Sequence, residues 1–296
     1  MVEPSRAVAP IRTGRVELRG VGVAYEIFGE GALALLLLPP WSITHSRFWK
    51  AQVPYLARHF RVVTFDPVGN GRSDRPTRAE DYAVGLDVER TLAVLEEARV
   101  DRWVMVAHCA AAPLALLLAA NHAERVAGAL FMSPALPLTP GLPERTGIDF
   151  ESELPEYEGW AKKNRNYWRR DFRGYLEFFH GRCFTEPHSS KQIEDGVGWG
   201  LEGSGETLAL TVGAPELGLD AVHELLGRLQ CPLLVTQGDE DSLIPRDRGA
   251  AFADATGAQL VELKGVGHCP NARYPVYFNL LVREFAERCF SGTRSI

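Results

Sequence analysis

Three residues in this chain of 296 have the types and the order needed for acyl transfer: a thiol at Cys109, a carboxylate at Asp241 and an imidazole at His268. A thiol can attack a carbonyl carbon if an imidazole takes its proton and returns it to the leaving group, with a carboxylate holding the ring in place. Cys109 stands at the apex of Val104-Met105-Val106-Ala107-His108-Cys109-Ala110-Ala111-Ala112-Pro113-Leu114, an apolar strand, a small-residue turn and an apolar helix. That is the layout of a nucleophile elbow, Gly-x-Ser-x-Gly, read here as Ala107-His108-Cys109-Ala110-Ala111. Serine has become cysteine, and alanines replace both glycines.

The acid and base occupy loops that also follow apolar runs. In Gln237-Gly238-Asp239-Glu240-Asp241-Ser242, Asp241 fits the Gly-x-x-Asp frame of an orienting acid, while Asp239 reads as a turn residue bonding nearby N–H groups. In Lys264-Gly265-Val266-Gly267-His268-Cys269-Pro270, the glycines let the backbone come close to a sheet end and aim His268 inward. The interval between acid and base holds one helix and one strand, so both loops can emerge at the same edge. After Leu38 comes Pro39-Pro40-Trp41-Ser42; prolines have no N–H, so Trp41 is the first candidate donor of an oxyanion hole. Ala110, directly after the cysteine and in the first turn of a helix, is the second. His45 and His108 and the aromatics Trp160, Trp168 and Phe179 are the expected lining of a substrate pocket.

Alternation of strands and helices must position these loops. RVELRGVGVAYEIFGEG from Arg15 has the period of two of an antiparallel hairpin. Continuous aliphatic runs at 32–38, 61–65, 103–106, 126–132 and 231–236 read as strands covered on both faces. Helical spacing predicts helices over 48–58, 84–98, 110–120, 246–255 and 275–290, and 259–263 is a further strand. The pattern implies right-handed crossovers and a doubly wound, mostly parallel α/β sheet. It is interrupted over 138–227, a helical stretch crowded with aromatics that reads as an inserted cap after the sixth strand. The expected organisation is thus a tail over 1–14, a core over 15–137 and 228–291, the cap, and a tail over 292–296.

Composition narrows the functional classes. With 46% hydrophobic and 24% charged residues the chain has the make-up of an ordinary globular protein, and a net charge of −6 offers no basic face for nucleic acid. The N-terminus lacks an uninterrupted apolar signal region, and no run of ~20 apolar residues predicts a membrane span. The cysteines at 109, 183, 231, 269 and 289 are odd in number and unevenly spaced, which with the missing export signal points to reduced thiols in the cytoplasm. No CxxC or His/Cys ligand spacing predicts a metal site, and no cofactor is called for. Asp66-Pro67-Val68-Gly69-Asn70-Gly71-Arg72-Ser73 carries Gly-x-Gly without the helix and ribose-binding acid of a dinucleotide site, and reads as a tight turn.

Taken together, the elbow, Asp66 to Ser73, Gly238 to Asp241 and Gly265 to His268 resemble the α/β-hydrolase fold family, in its capped branch, over nearly the whole chain from about Arg15 to Phe290. The resemblance implies Cys109 as nucleophile, Asp241 as acid, His268 as base, and the Trp41 and Ala110 amides as oxyanion donors. The function expected is acyl transfer from an ester or thioester, free or carrier-bound, through a cysteine-bound acyl intermediate, ending in hydrolysis or transfer. Two other readings compete: a lyase, cyclase or proton-transfer enzyme using only the His268-Asp241 dyad, and a ligand-binding protein without turnover. The oligomeric state is not legible in the sequence.

Overall fold

A computed structural model describes residues 7–291. Two antiparallel strands open the fold, β1 (Arg12–Leu18) and β2 (Val21–Phe28), with Leu18 opposite Val21. The two residues between them, Arg19 and Gly20, have φ of 52° and 76°, the left-handed backbone that a two-residue hairpin turn requires. The remaining strands are β3 (Ala34–Leu37), β4 (Arg61–Phe65), β5 (Trp103–His108), β6 (Val126–Met132), β7 (Leu233–Gly238) and β8 (Gln259–Leu263). They form one sheet in the order β1-β2-β4-β3-β5-β6-β7-β8, parallel from β4 to β8. The expected tails need adjustment: residues 12–14 belong to β1, while 1–6 and 292–296 lie outside the described residues.

The aliphatic runs are explained by burial on both faces. In β5, Trp103, Met105 and Ala107 pack into one core cluster and Val104 and Val106 into the other. The first face is covered by α2 (Val84–Glu97), α3 (Ala112–Asn121), α7 (Leu219–Leu226) and α8 (Asp247–Thr256). The second is covered by the single turn α1 (Val53–Leu56) and by α10 (Pro275–Ser291), which the four-residue turn α9 (Pro270–Arg273) precedes. The continuous helix expected over 48–58 is instead a 3₁₀ turn, Ser46–Trp49, followed by α1. Pro54, which has no N–H, can sit only in the first turn of a new helix.

Between β6 and β7 run α4 (Arg165–Cys183), α5 (Ser190–Gly200), α6 (Gly205–Val212) and then α7. Asn164 and Ser204 start α4 and α6 with side chains that accept N–H bonds from the first turn. α4 to α6 share a small apolar core of their own, including Trp168, Tyr175, Leu176, Val197 and Leu208. Helix α7 behaves differently, with Val222, Leu225 and Leu226 packed into the cluster beneath the sheet. Within the stretch 138–227, therefore, the last helix is part of the sheet's own packing.

A close approach between β6 and α10 provides a test of this packing. A Cβ placed on Gly128 would lie 2.4 Å from the Cys289 sulfur. Gly128→Ala should destabilise the protein by about 1–3 kcal/mol through overpacking, and Cys289→Ala in the same chain should recover much of that loss. Urea denaturation of the two single variants and the double variant measures the coupling; additive effects would refute the contact.

Candidate active site

Cys109 follows the last residue of β5 and begins the 3₁₀ turn Cys109–Ala111 that leads into α3. Its φ of 51° puts an L-residue in the left-handed region, a conformation that costs of order 1–3 kcal/mol and lifts the side chain above the strand end. The flanking Ala107 and Ala111 are buried without leaving the strand-to-helix path. The Cys109 carbonyl is fixed by the N–H groups of Ala112 and Ala135. Ala110 stands in the first helical turn, where N–H groups have no intrahelical acceptor.

The acid and base loops meet at the carboxyl end of the sheet, where open α/β folds place their ligands. His268 Nδ1 lies 2.8 Å from Asp241 Oδ2, and both side chains are buried. The other Asp241 oxygen accepts the Leu243 and Ile244 N–H groups at 2.8 and 3.0 Å, and Gln237 Nε2 donates to Oδ2 at 3.1 Å. With Nδ1 committed to Asp241, the His268 ring lines the same cavity as Cys109. Burial opposes charge on His268, but the Asp241 carboxylate, the neighbouring Cys109 and the hydrogen bond to Asp241 outweigh it and raise its pKa well above that of a free imidazole. Burial likewise raises Asp241, yet His268 and the two amides leave its carboxyl below the ordinary carboxylate value.

Glycine explains how closely these loops approach. A Cβ on Gly238 would fall 2.2 Å from the Val266 carbonyl oxygen, so only glycine lets the acid loop lie against the base loop there. Asp239 turns away from the site and accepts the Gly265 N–H at 2.7 Å, the turn role expected of it. The Asp66 to Ser73 turn does more than reverse the chain. Asp66 accepts from Ser46 N and Arg72 N, Ser73 Oγ donates to the Asp66 carbonyl, and Asn70 Nδ2 donates to the Ser42 carbonyl at 2.9 Å. These bonds pin the loop that carries Trp41.

A cavity of about 820 Å³ opens over the elbow, and Cys109, Ala110, His268, Trp41, His108 and Phe179 all line it. Trp41 also ties this loop to the helices above, packing on Phe179 and donating its indole N–H to Thr211 Oγ1 at 2.8 Å. His108 stacks on Phe48, and its Nε2 bonds to the His268 carbonyl at 3.0 Å. Burial and the neighbouring His268 charge push its pKa well below the usual imidazole value, so it is neutral at pH 7.

Three expected pocket residues lie elsewhere. His45 is buried behind the loop, 3.3 Å from Glu202 Oε1 and 3.7 Å from Asp66 Oδ1, and edge-on to Trp199. Trp168 fills the small core of the inserted helices, and Trp160 lies beneath the Arg145 guanidinium at 4.5 Å. Both are consumed in packing, the commoner fate of a large apolar ring.

Other residues reach the cavity with no signal in the sequence. Cys183, His180 and Cys269 line it, and the two thiols belong to one buried cluster. Burial raises Cys269 well above the ordinary thiol value, and the neighbouring Cys183 adds to this. The cations Arg145, Lys163 and Arg248 line it as well. Among the described residues no group of three or more His, Cys, Asp or Glu could hold a metal ion, and no helix is long and apolar enough to cross a membrane.

A family model for the alpha/beta hydrolase fold matches residues 34–272. The chain is 25% identical over 282 residues to the 2-hydroxymuconate semialdehyde hydrolase of Pseudomonas sp. (strain CF600), covering 91% of this chain and 92% of the relative. Among solved structures, Est816, an N-acyl homoserine lactone degrading enzyme, is 26% identical with a TM-score of 0.72 and covers 92% of this chain and 100% of its own. The enol-lactonase from Burkholderia xenovorans LB400 shares the fold at 21% identity and a TM-score of 0.74, over 92% and 99% of the two chains. The chain belongs to the alpha/beta hydrolase fold family and is an enzyme of the hydrolase type.

Proposed function

We propose that this hydrolase cleaves a small-molecule ester or thioester through an acyl group carried on Cys109. The observation that carries the reading is that His268, 2.8 Å from the buried Asp241, lines one cavity with a cysteine held at a left-handed elbow. In the acylation step the proton that Cys109 gives up is held on His268 as an imidazolium, in keeping with its raised pKa, and the sulfur forms a bond to the carbonyl carbon. The resulting oxyanion takes hydrogen bonds from the Trp41 and Ala110 N–H groups, and His268 returns the proton to the departing alcohol or thiol. Water or another acceptor, deprotonated by His268, then attacks the thioester and frees Cys109.

Cysteine in place of serine bears on the substrate. A thioester intermediate remains activated, so it can be passed to an amine, thiol or alcohol as well as to water. Helices α4 to α6 act here as a cap over the chamber and limit water at the acyl group. The hydrolase and lactone-degrading relatives support a small ester or lactone as the substrate class. Cys269, the thiol next to His268 in the chain, is a poor nucleophile, because it is buried and held protonated.

Cys109→Ala should lower kcat for thioester cleavage by about 10⁴ or more, in the range seen when a nucleophile is removed, with the fold intact by circular dichroism. Undiminished turnover would leave the dyad to act alone and refute the covalent step. Iodoacetamide should modify Cys109 before Cys269 and stop turnover in step with that modification.

The His268-Asp241 pair also makes a pH signature. A raised His268 pKa contributes stability that is fully present below the unfolded value of about 6.5 and is lost as pH rises through the folded value. The lowered Asp241 pKa contributes above about 3.9 and is lost on acidification. Asp241→Asn should therefore cost most, about 3–5 kcal/mol, between about pH 4 and 6.5, with the gap to wild type narrowing in alkali. Melting temperatures across pH 4–10 check the shape; a gap that widens in alkali would contradict the charged pair.

A further inference from the structure

The cavity above Cys109 contains more positive charge than the acyl-transfer step uses. Arg145, Lys163 and Arg248 all line it, and among the described residues none of the three has a carboxylate within ion-pair distance. Arg248 is 9% exposed; its Nη2 donates to the Thr139 carbonyl at 2.8 Å and reaches the Pro140 carbonyl at 3.5 Å, while its buried Nε has no partner. Arg145 lies over the Trp160 ring and donates to the Leu243 carbonyl. The Lys163 side chain lines the same wall, with its main-chain N–H spent on the Trp160 carbonyl.

Negative charge in the lining falls short of balancing them. Arg90 and Asp87 neutralise each other at 3.0 Å. Asp241 is bound to His268. Glu216 is the carboxylate left to oppose Lys163. Arg145 acts on the other two: burial lowers the Lys163 pKa and Arg145 lowers it further against Glu216. Burial and then Arg145 do the same to Arg248, against Asp247, Cys109 and Asp241. Arg145 thus acts on both of the other cations, and Arg248 also feels Cys109. Buried charge is costly unless it is paired, and here a ligand can supply the missing partner.

We propose that Arg145, Lys163 and Arg248 form a subsite for an anionic group, a carboxylate or a phosphate, on the molecule whose acyl group reaches Cys109. The position of the subsite beside Cys109 rests on the acyl-transfer reading, but its affinity for an anion does not. Two sources fit the chemistry: a carboxylate at the far end of the acyl chain, or a phosphate on the thiol or alcohol that leaves. Arg248 and Arg145 supply guanidinium charge and Lys163 an ammonium.

The test uses full-length Cys109→Ala protein, which binds without reacting. Isothermal titration at pH 7 compares monomethyl glutarate with its neutral counterpart dimethyl glutarate, and, separately, phosphopantetheine with pantetheine. At least one anionic probe should bind ten-fold or more tightly than its neutral partner, with affinity that falls as NaCl is raised. Lys163→Met and Arg248→Met should each erase most of that preference, and Lys163→Arg should restore it; melting temperatures report whether each variant is folded. Preference in the glutarate arm assigns the anion to the acyl chain, and preference in the phosphopantetheine arm assigns it to the leaving group. Equal binding of charged and neutral probes in both arms, or a preference that survives Lys163→Met and Arg248→Met, overturns the subsite. An anion preference in a protein that never cleaves a thioester would uphold the subsite and overturn the catalytic reading instead.

Discussion

The left-handed backbone at Cys109 is the constraint on which the rest of the site depends. A non-glycine residue holds φ of 51° only if the surroundings over-determine it. Here β5 is hydrogen-bonded on both sides, to β3 and β6, and its register runs to His108 against Met132. The N–H of Leu38 reaches the Val106 carbonyl, and Ala135 N reaches that of Cys109, so both neighbouring loops are tied to the elbow. The small side chains at 107 and 111 fit under these restraints, which accounts physically for alanine being tolerated where glycine is the usual choice.

Electrostatics completes what the backbone begins. A buried imidazolium beside a buried carboxylate is stable only with every lone pair occupied. Asp241 meets that condition through two loop amides, the Gln237 side chain and His268. Glycine at 238 brings the two loops into contact, and the Asp66 network fixes the opposite wall through Ser42 and Ser46. The site is thus assembled from four loops at one sheet edge, each held by bonds made outside the cavity. Neutral His108, stacked on Phe48, sits beside His268 without competing for its proton.

The parts legible in the sequence are those fixed by local pattern. Aliphatic runs marked β3 to β7 because strands buried on both faces need apolar residues at every position, and loop order after those strands brought Cys109, Asp241 and His268 together. The segment between β6 and β7 was less legible. Its aromatics were visible, but which face each presents depends on how the helices pack, so Phe179 lines the cavity while Trp160 and Trp168 fill small cores. For the same reason Arg145, Lys163 and Arg248, scattered over a hundred residues, gave no sign that they would share one chamber. His45, expected in the pocket lining, is instead held behind the loop beside Asp66 and Glu202, a placement set by partners far away in the chain.

The central claim is a covalent acyl group on one sulfur. Intact mass spectrometry of the protein, quenched in acid during turnover of a small acyl thioester, followed by peptide mapping, addresses it directly. The account predicts a single added acyl mass located on Cys109 that decays as substrate is exhausted. Turnover with no adduct at any time, or an acyl mass located on Cys183 or Cys269, would contradict it.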